Sequence, residues 1–449
     1  MTNIVSIPNI ASLRNFSEAG PENPVVWVES YNSLGDGGEG VFIYNPNNTS
    51  SIDNDGTIIV ISNSTGTYRY FRQFNNDIIN ICWFGGGNNE DSTQALSNAL
   101  SVISLSNGGT VYFPAGTYTF YNEITYKNSN SDTEFSLTFV GQGADSSILY
   151  WPNETNGLSV YLGASKQSVH FRDLSITTSQ TGIYTGIYIT QVGGGGVATG
   201  VSDFTRVNFR GSSPQLQYWG TAISVNNMIN VNYEGVIIAG SLPNTNVGIG
   251  VNISGTSPNY YLGHNFTNCV FYSGEVGIIY GTYSQGITVN QCNFGTFTGV
   301  RIPEGETSIA QLSIVASQFG CSGYGVDIRS LSSGITITGN TFYYPDDISD
   351  TIGIYMNYSG TPAIQGTAIV GNFFSGHSIP GNGGKGIVVS GNSNSNNYGN
   401  VTGNVFDNMN TGVDLTGAQL WNVHGNIYGV TIPNQVVPGN NNSVGVTTK

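Results

Sequence analysis

Charge is what this chain has least of. Lys, Arg, Asp and Glu make up 9% of its 449 residues, and only 12 are cations, leaving a formal net charge of −15. A chain so poor in Lys and Arg is excluded as a nucleic-acid binder, because phosphate recognition needs clustered cations. The same shortage argues against a strongly polyanionic glycan unless Ca²⁺ bridges the two. The four cysteines, Cys82, Cys269, Cys292 and Cys321, have no metal-ligand spacing and are too sparse for a disulfide framework. No apolar run reaches membrane-spanning length, so membrane insertion is not expected. The first residues, Met1-Thr-Asn-Ile-Val-Ser-Ile-Pro8, show no charged segment followed by an apolar one, so no signal peptide is read there. The expected route is cytosolic synthesis followed by release or assembly into a particle.

Gly, Asn, Ser and Thr abound, and 12% of residues are aromatic. Disorder goes with high charge and few aromatics, so this composition points instead to many short strands joined by turns that need Gly and Asn. From about residue 135 the sequence repeats itself. Thr338-Gly-Asn-Thr-Phe342, Val370-Gly-Asn-Phe-Phe374, Thr402-Gly-Asn-Val-Phe406 and His424-Gly-Asn-Ile-Tyr428 share one pattern, and Phe209, Phe271, Phe294 and Phe319 keep its aromatic. Each aromatic is followed by a Gly and alternating apolar residues, as in Gly277-Ile-Ile-Tyr, Gly299-Val-Arg-Ile, Gly325-Val-Asp-Ile and Gly353-Ile-Tyr-Met. A period of roughly 23–32 residues with one aromatic per period is the mark of a solenoid. Aligning the aromatics puts Cys269, Cys292, Ser317, Asn340, Asn372, Asn404 and Asn426 in one column. This predicts an internal asparagine ladder at an αL turn that gives way to buried thiols.

One helix is predicted, over residues 91–106. Asp91 is placed to cap it with Gln94 three residues on, and Ala95, Leu96, Ala99, Leu100 and Ile103 form one apolar stripe. It leads into Gly108-Gly-Thr-Val-Tyr-Phe-Pro-Ala-Gly-Thr-Tyr118. With Trp83-Phe84-Gly85 ahead of it, this stretch resembles the opening of the pectate-lyase-like right-handed parallel β-helix superfamily, and within it the bacteriophage tailspike and capsule-depolymerase branch. The resemblance implies an all-β chain. A small N-terminal β-rich head or neck module (1–75) would precede a leading segment with the capping helix (76–134). A right-handed, single-stranded parallel β-helix of about ten coils (135–430) and a C-terminal tail (431–449) would follow. It also implies residence in a virion tail or outside the cell, attachment to the tail or baseplate through the N-terminal module, a bacterial surface polysaccharide as partner, and possible homotrimers.

The links between aromatic and Gly are long after Phe209, Val236, Phe342 and Phe374 and short after Phe271, Phe294 and Phe319. Stacked coils would make the short corners the floor of a groove and the long loops its walls, a suitable shape for a glycan chain. On that floor Arg301, Asp327 and Tyr355 take one outward position on neighbouring coils, Glu275 stands one coil earlier, and Glu304 and Glu306 follow in a turn. Glycoside hydrolysis uses two carboxyls about 5 Å or about 6.5–9.5 Å apart, and coils spaced ~4.8 Å reach either distance. The candidate catalytic residues are therefore Glu275, Glu304 and Asp327, with Arg301 and Tyr355 binding substrate. The alternative is an exposed Arg301–Asp327 pair of little weight. Tyr218 and Trp219 are candidate sugar platforms. Asp346 and Asp347, with Asp350, are either sugar-binding, a Ca²⁺ loop, or a solvated acidic turn. No cofactor is expected otherwise, and no metal site is assigned. His170 and Arg172 both face outward on an early strand and offer the base a polysaccharide lyase needs. Three functions follow in order: hydrolytic depolymerase, non-catalytic glycan-binding or structural virion protein, and polysaccharide lyase.

Overall fold

The computed structural model describes all residues except 1–3, 75–77, 88–89, 106–107, 129–133, 164–165, 192–199, 214–215, 242–246, 257–260, 307–308, 331, 345–349, 359–364, 377–383, 392–397, 437–441, 446 and 449. The first residues fold around their own core of Ile7, Leu13, Val26, Val28, Phe42, Ile59, Ile61 and Tyr70. Strands Val25–Val28, Gly40–Tyr44, Gly66–Arg72 and Ile58–Asn63 pair antiparallel in that spatial order, and Val5–Ile7 adds a parallel edge. The Asp-Gly-Gly turn is closed by Asp36, whose carboxylate accepts from the backbone N–H groups of Tyr31, Asn32, Ser33 and Gly38. Burial alone would raise its pKa, and these four donors outweigh that and lower it.

Arg72 joins this module to the rest. Its guanidinium is buried, donates to the carbonyls of Gly38, Glu39 and Gly56, and lies 4.6 Å from the Phe42 ring centre and 5.1 Å from that of Trp83. Burial pushes its pKa down to about 10. Trp83 belongs to the segment leading into the solenoid, so the two parts share one desolvated cation.

The capping helix spans Thr93–Ser104 and buries the expected stripe, Ala95, Leu96, Ala99, Leu100 and Ile103. Its N-cap differs from expectation. Ser92 holds that position, Asp91 Oδ1 accepts from Thr93 N at 3.0 Å, and Gln94 reaches Asn98 instead of closing a capping box. Beyond it the chain winds as a right-handed parallel β-helix, and one of its sheets has 12 strands. Ten of those strands lie between residues 135 and 430, as expected, and one more stands at each end, Ile124–Lys127 before them and Ile432–Val436 after them. Ile432–Val436, Ser443–Val444 and Thr447–Thr448 pair in parallel with Thr411–Leu415, Trp421–His424 and Ile427–Gly429. The predicted tail thus contributes a further coil, and Asn442 Oδ1 ties it back by accepting from Trp421 N at 2.9 Å.

Register follows from identical residues meeting their own kind. Phe271, Phe294, Phe319, Phe342, Phe374, Phe406 and Tyr428 stack ring on ring at 4.6–5.2 Å. Each contact adds about 0.5–1.5 kcal/mol beyond the area buried. The recurrent Gly exists to admit this stack. A Cβ on Gly299 would sit 2.6 Å from the Gly325 carbonyl oxygen and 2.7 Å from the Phe319 ring. The αL turn falls one residue earlier than the sequence predicts. Asn268, Gln291, Ala316, Gly339, Gly371, Gly403 and Gly425 take φ between +50° and +68°. The asparagine that follows each late turn points inward instead. Asn340, Asn372 and Asn404 each donate Nδ2–H to the Oδ1 of the next asparagine at 3.0–3.1 Å, and that oxygen also accepts their backbone N–H. Cys269 and Cys292 continue the column as buried free thiols.

Asn372→Ala removes the acceptor for two donors on Asn340. It should cost about 1–3 kcal/mol for each group left unsatisfied, read as a lowered urea-unfolding midpoint. An unchanged midpoint would mean the ladder adds no stability. A second prediction concerns His264, fully buried with Nε2 3.2 Å from the Met228 carbonyl. Burial lowers its pKa from 6.5 to about 4. The unfolded chain therefore binds this proton first, so stability is full above pH 6.5 and falls between 6.5 and 4. His264→Leu should flatten that part of the stability–pH curve; an unaltered slope would contradict it.

Candidate active site

The corner lengths follow the sequence expectation. Between the aromatic strand and the strand with the recurrent Gly, the chain spends residues 212–220, 240–248, 344–351 and 376–384 on the outer coils and only 273–275, 296–297 and 320–323 on the middle ones. On the middle coils the register pairs Arg301 with Asp327 and Asp327 with Tyr355. Their flanking residues Val300, Ile302, Val326, Ile328, Ile354 and Met356 fill the core, which turns the polar column outward.

These residues form a connected charge network rather than an exposed pair. Arg301 donates from Nη1 to Glu275 Oε1 at 2.9 Å, from Nε to Asp327 Oδ2 at 3.2 Å, and from Nη2 to Thr298 Oγ1 at 2.9 Å. Arg329 donates from Nε to both Asp327 oxygens at 2.8 and 3.1 Å, and this hydrogen bond raises its own pKa. The Asp327 side chain is 0% exposed, whereas Glu275 is 41% exposed. Arg329 also lies 5.4 Å and 5.5 Å from the ring centres of Tyr324 and Tyr355, and Tyr355 accepts from Ser390 Oγ at 3.1 Å. Glu275 and Asp327 bind different nitrogens of one guanidinium, so their carboxyl oxygens lie at most about 8 Å apart, a bound that both the retaining and the inverting spacing satisfy. The buried Asp327 holds two cations in place, and Glu275 meets solvent.

The remaining candidates are placed differently. Glu304 is exposed in the turn beyond Ile302. Val276 aligns with Thr298, so Glu275 and Glu304 stand beyond opposite ends of the strand Thr298–Ile302 and its aligned neighbours. Glu306 accepts from Thr282 Oγ1. Trp219 does not offer a sugar platform: it is 3% exposed, packs edge-on against Trp151 and donates Nε1–H to the Ile176 carbonyl. An indole following a loop with Gly on either side reads as exposed, but this one fills the core. Tyr218 is half-buried and covers Gly182 in the corner of the preceding coil. Asp346 and Asp347 lie outside the described residues. Asp414 pairs with Lys385 at 3.2 Å. His170 and Arg172 face outward and both bind Asp203 of the next coil.

Two members of the network, Arg329 and Tyr324, were not singled out from sequence. Arg329 stands two residues after Asp327 on the same strand face, so alternation alone could have found it. Among the concavities lined by described residues are three that include neither Arg301 nor Asp327. One of about 10 Å³ lies inside the coil beside Trp219 and Phe271, one of about 320 Å³ separates Asp36 from Pro114, and a groove of about 420 Å³ is lined by Tyr150, Thr177 and Arg210.

Removing Asp327 leaves two guanidiniums facing each other. Asp327→Ala should cost about 3 kcal/mol, and Arg329→Ala about 1 kcal/mol, both read by chemical denaturation. Equal and negligible losses would show that the network has no structural weight.

Comparison with known proteins agrees with this architecture. Residues 6–75 match the family described as "Phage tail protein small four-stranded beta-sheet domain". The four antiparallel strands lie within that span, and Val5–Ile7 lies beside them at its start. Among solved structures, the chain is similar to full-length tailspike protein 2 of an Escherichia coli O157:H7 bacteriophage. The TM-score is 0.64 at 14% identity, covering 89% of this chain and 51% of that one. The enzymatically active domain of tailspike protein 2 from bacteriophage CBA120 gives 0.60 at 13% identity, covering 96% and 61%. The A-module of the mannuronan C-5 epimerase AlgE6 of Azotobacter vinelandii gives 0.54 at 15% identity, covering 82% and 99%. The chain therefore spans between half and two thirds of the length of these tailspike structures. It has the tailspike type of fold, a small phage-tail β domain followed by a parallel β-helix.

Proposed function

We propose that this protein is a phage-tail-associated depolymerase that binds a bacterial surface polysaccharide and cleaves it by hydrolysis. The observation that supports this most is the Glu275–Arg301–Asp327–Arg329 network, carried on short-cornered coils between long loops. Glu275 is the carboxyl within reach of substrate and serves as general acid or base. Asp327 is the partner carboxyl in this reading, and it holds Arg301 and Arg329 in place to bind oxygens of the sugar and of the leaving group. Tyr324 and Tyr355, ordered by Arg329, present ring edges to the sugar. Glu304 contacts the chain farther along the face. The N-terminal module attaches the protein to the phage tail, and trimers, where they form, bring further subunits beside this face. The likeness to an enzymatically active tailspike domain and to an epimerase acting on mannuronan makes a carbohydrate the substrate class most consistent with the fold.

The test is incubation with purified capsule or O-antigen from candidate hosts. New reducing ends without absorbance near about 235 nm are expected, since hydrolysis leaves no unsaturated uronate. Glu275→Gln should lower the rate at least ~100-fold. Absorbance would identify a lyase, and binding without cleavage on the true host glycan would leave a recognition protein. Full activity in Glu275→Gln, Glu304→Gln and Asp327→Asn alike would displace the site.

A further inference from the structure

A second constellation lies on the outer face of earlier coils, away from the network above. Ser168 and His170 share the strand Gln167–Thr178, two residues apart and therefore on the same face. Asp203 stands directly opposite His170 on the next coil, and Ser136 directly opposite Ser168 on the previous one. Ser168 Oγ is 3.1 Å from His170 Nε2, and His170 Nδ1 is 2.5 Å from Asp203 Oδ2. The Asp203 carboxylate is itself fixed: Arg172 donates Nε–H to Oδ1 at 3.0 Å and Nη2–H to Oδ2 at 2.6 Å, and Thr205 Oγ1–H donates to Oδ1 at 3.2 Å. His170 and Asp203 side chains are each 14% exposed.

A carboxylate on Nδ1 fixes the tautomer, placing the proton on Nδ1 and the lone pair of Nε2 toward the Ser168 hydroxyl. This is the order of roles that activates a serine: nucleophile, base, and an acid residue that orients the base. The exposed Ser136 hydroxyl accepts from Ser168 Oγ at 3.3 Å, and its own O–H is the donor this reading assigns to an oxyanion. The backbone N–H groups of the strands are used in the sheet. Arg172 keeps Asp203 ionised, and together with His170 it outweighs the effect of burial and depresses the Asp203 pKa.

We propose that Ser168, His170 and Asp203 form a serine-esterase site that removes small O-acyl groups from an extended substrate. Ser168 Oγ bonds to the acyl carbonyl carbon while its proton passes to His170 Nε2. Collapse breaks the carbon–oxygen bond to the alcohol, which leaves with that proton. Water then attacks the acyl-serine, His170 takes its proton, and the carboxylic acid departs as Ser168 regains its hydrogen. Ester and water thus give acid and alcohol. Ser168 is only 7% exposed and lies beside the exposed Ser136 on the outer sheet face, which limits the acyl group to about the size of an acetyl on a chain lying across the coils. On the same coils, past the αL bend at Asp173 and Arg206, the groove lined by Tyr150, Thr177 and Arg210 offers that chain a place to lie. That the chain is a glycan rests on the depolymerase reading; the ester chemistry does not.

The test uses the full chain and a fluorophosphonate probe, with adducts mapped by mass spectrometry. Labelling of Ser168 is expected, falling at least ~100-fold in His170→Ala, with a matching loss of 4-nitrophenyl acetate and O-acetylated xylan hydrolysis in Ser168→Ala. Asp203→Asn should lower the rate and change its pH profile, which a merely structural role in the sheet would not do. No adduct on Ser168, or ester hydrolysis unchanged by Ser168→Ala, would overturn the proposal. The adduct forms without any glycan, so its absence counts against the serine site alone, and an absence of new reducing ends counts against the depolymerase reading alone.

Discussion

Every coil of this protein is held by the contact of a residue with its own counterpart one coil away. Parallel strands in register bring equivalent positions to about 4.8 Å, and at that distance only side chains that attract their own kind can fill a column. Phenylalanine does so by stacking, asparagine by donating from its amide nitrogen to the next amide oxygen, and glycine by leaving room for both. The αL column from Asn268 to Gly425 turns each coil at the same point, so the stacks stay aligned. Where the column carries charge instead, like on like would repel, and the signs alternate: Arg301 faces Asp327, and Asp203 faces His170. The charged pairs of the outer face stand where self-pairing is impossible.

That constraint explains how much could be read from the sequence. The period, the aromatic stack, the internal asparagines and the helix stripe were legible because each is a local pattern repeated many times. The outward column of Arg301, Asp327 and Tyr355 followed from two-residue alternation alone, and so did the outward direction of His170 and Arg172. Burial was harder. Trp219 looks like a surface aromatic on a polar loop, yet the corner folds back and inserts it against Trp151. The αL position was misplaced by one residue because Gly and Asn both favour it, and only the inward amide ladder separates their roles. The last coil was missed since its strands, Ser443–Val444 and Thr447–Thr448, carry almost no apolar pattern; Asn442 ties them down through Trp421 N and the Ala418 carbonyl.

Pairings between coils lie beyond such local patterns. Glu275 meets Arg301, and His170 meets Asp203, only when corner lengths set which coil residues align. The buried state of Asp327 likewise arises from Arg301 and Arg329 closing over it from two coils. These contacts are long-range in sequence, and they are where a rigid scaffold acquires a site. The scaffold adds little motion of its own, so binding should leave the coils in place and protect the face it covers.

The central claim, that the glycan lies across the short-cornered coils, is tested most directly by hydrogen–deuterium exchange of the full chain with and without an oligosaccharide from its host. The account predicts slowed exchange in the corners and strand ends at residues 273–276, 296–306 and 320–330, with the N-terminal module unchanged. Protection confined to other coils, leaving these corners as they are in the free protein, would contradict it.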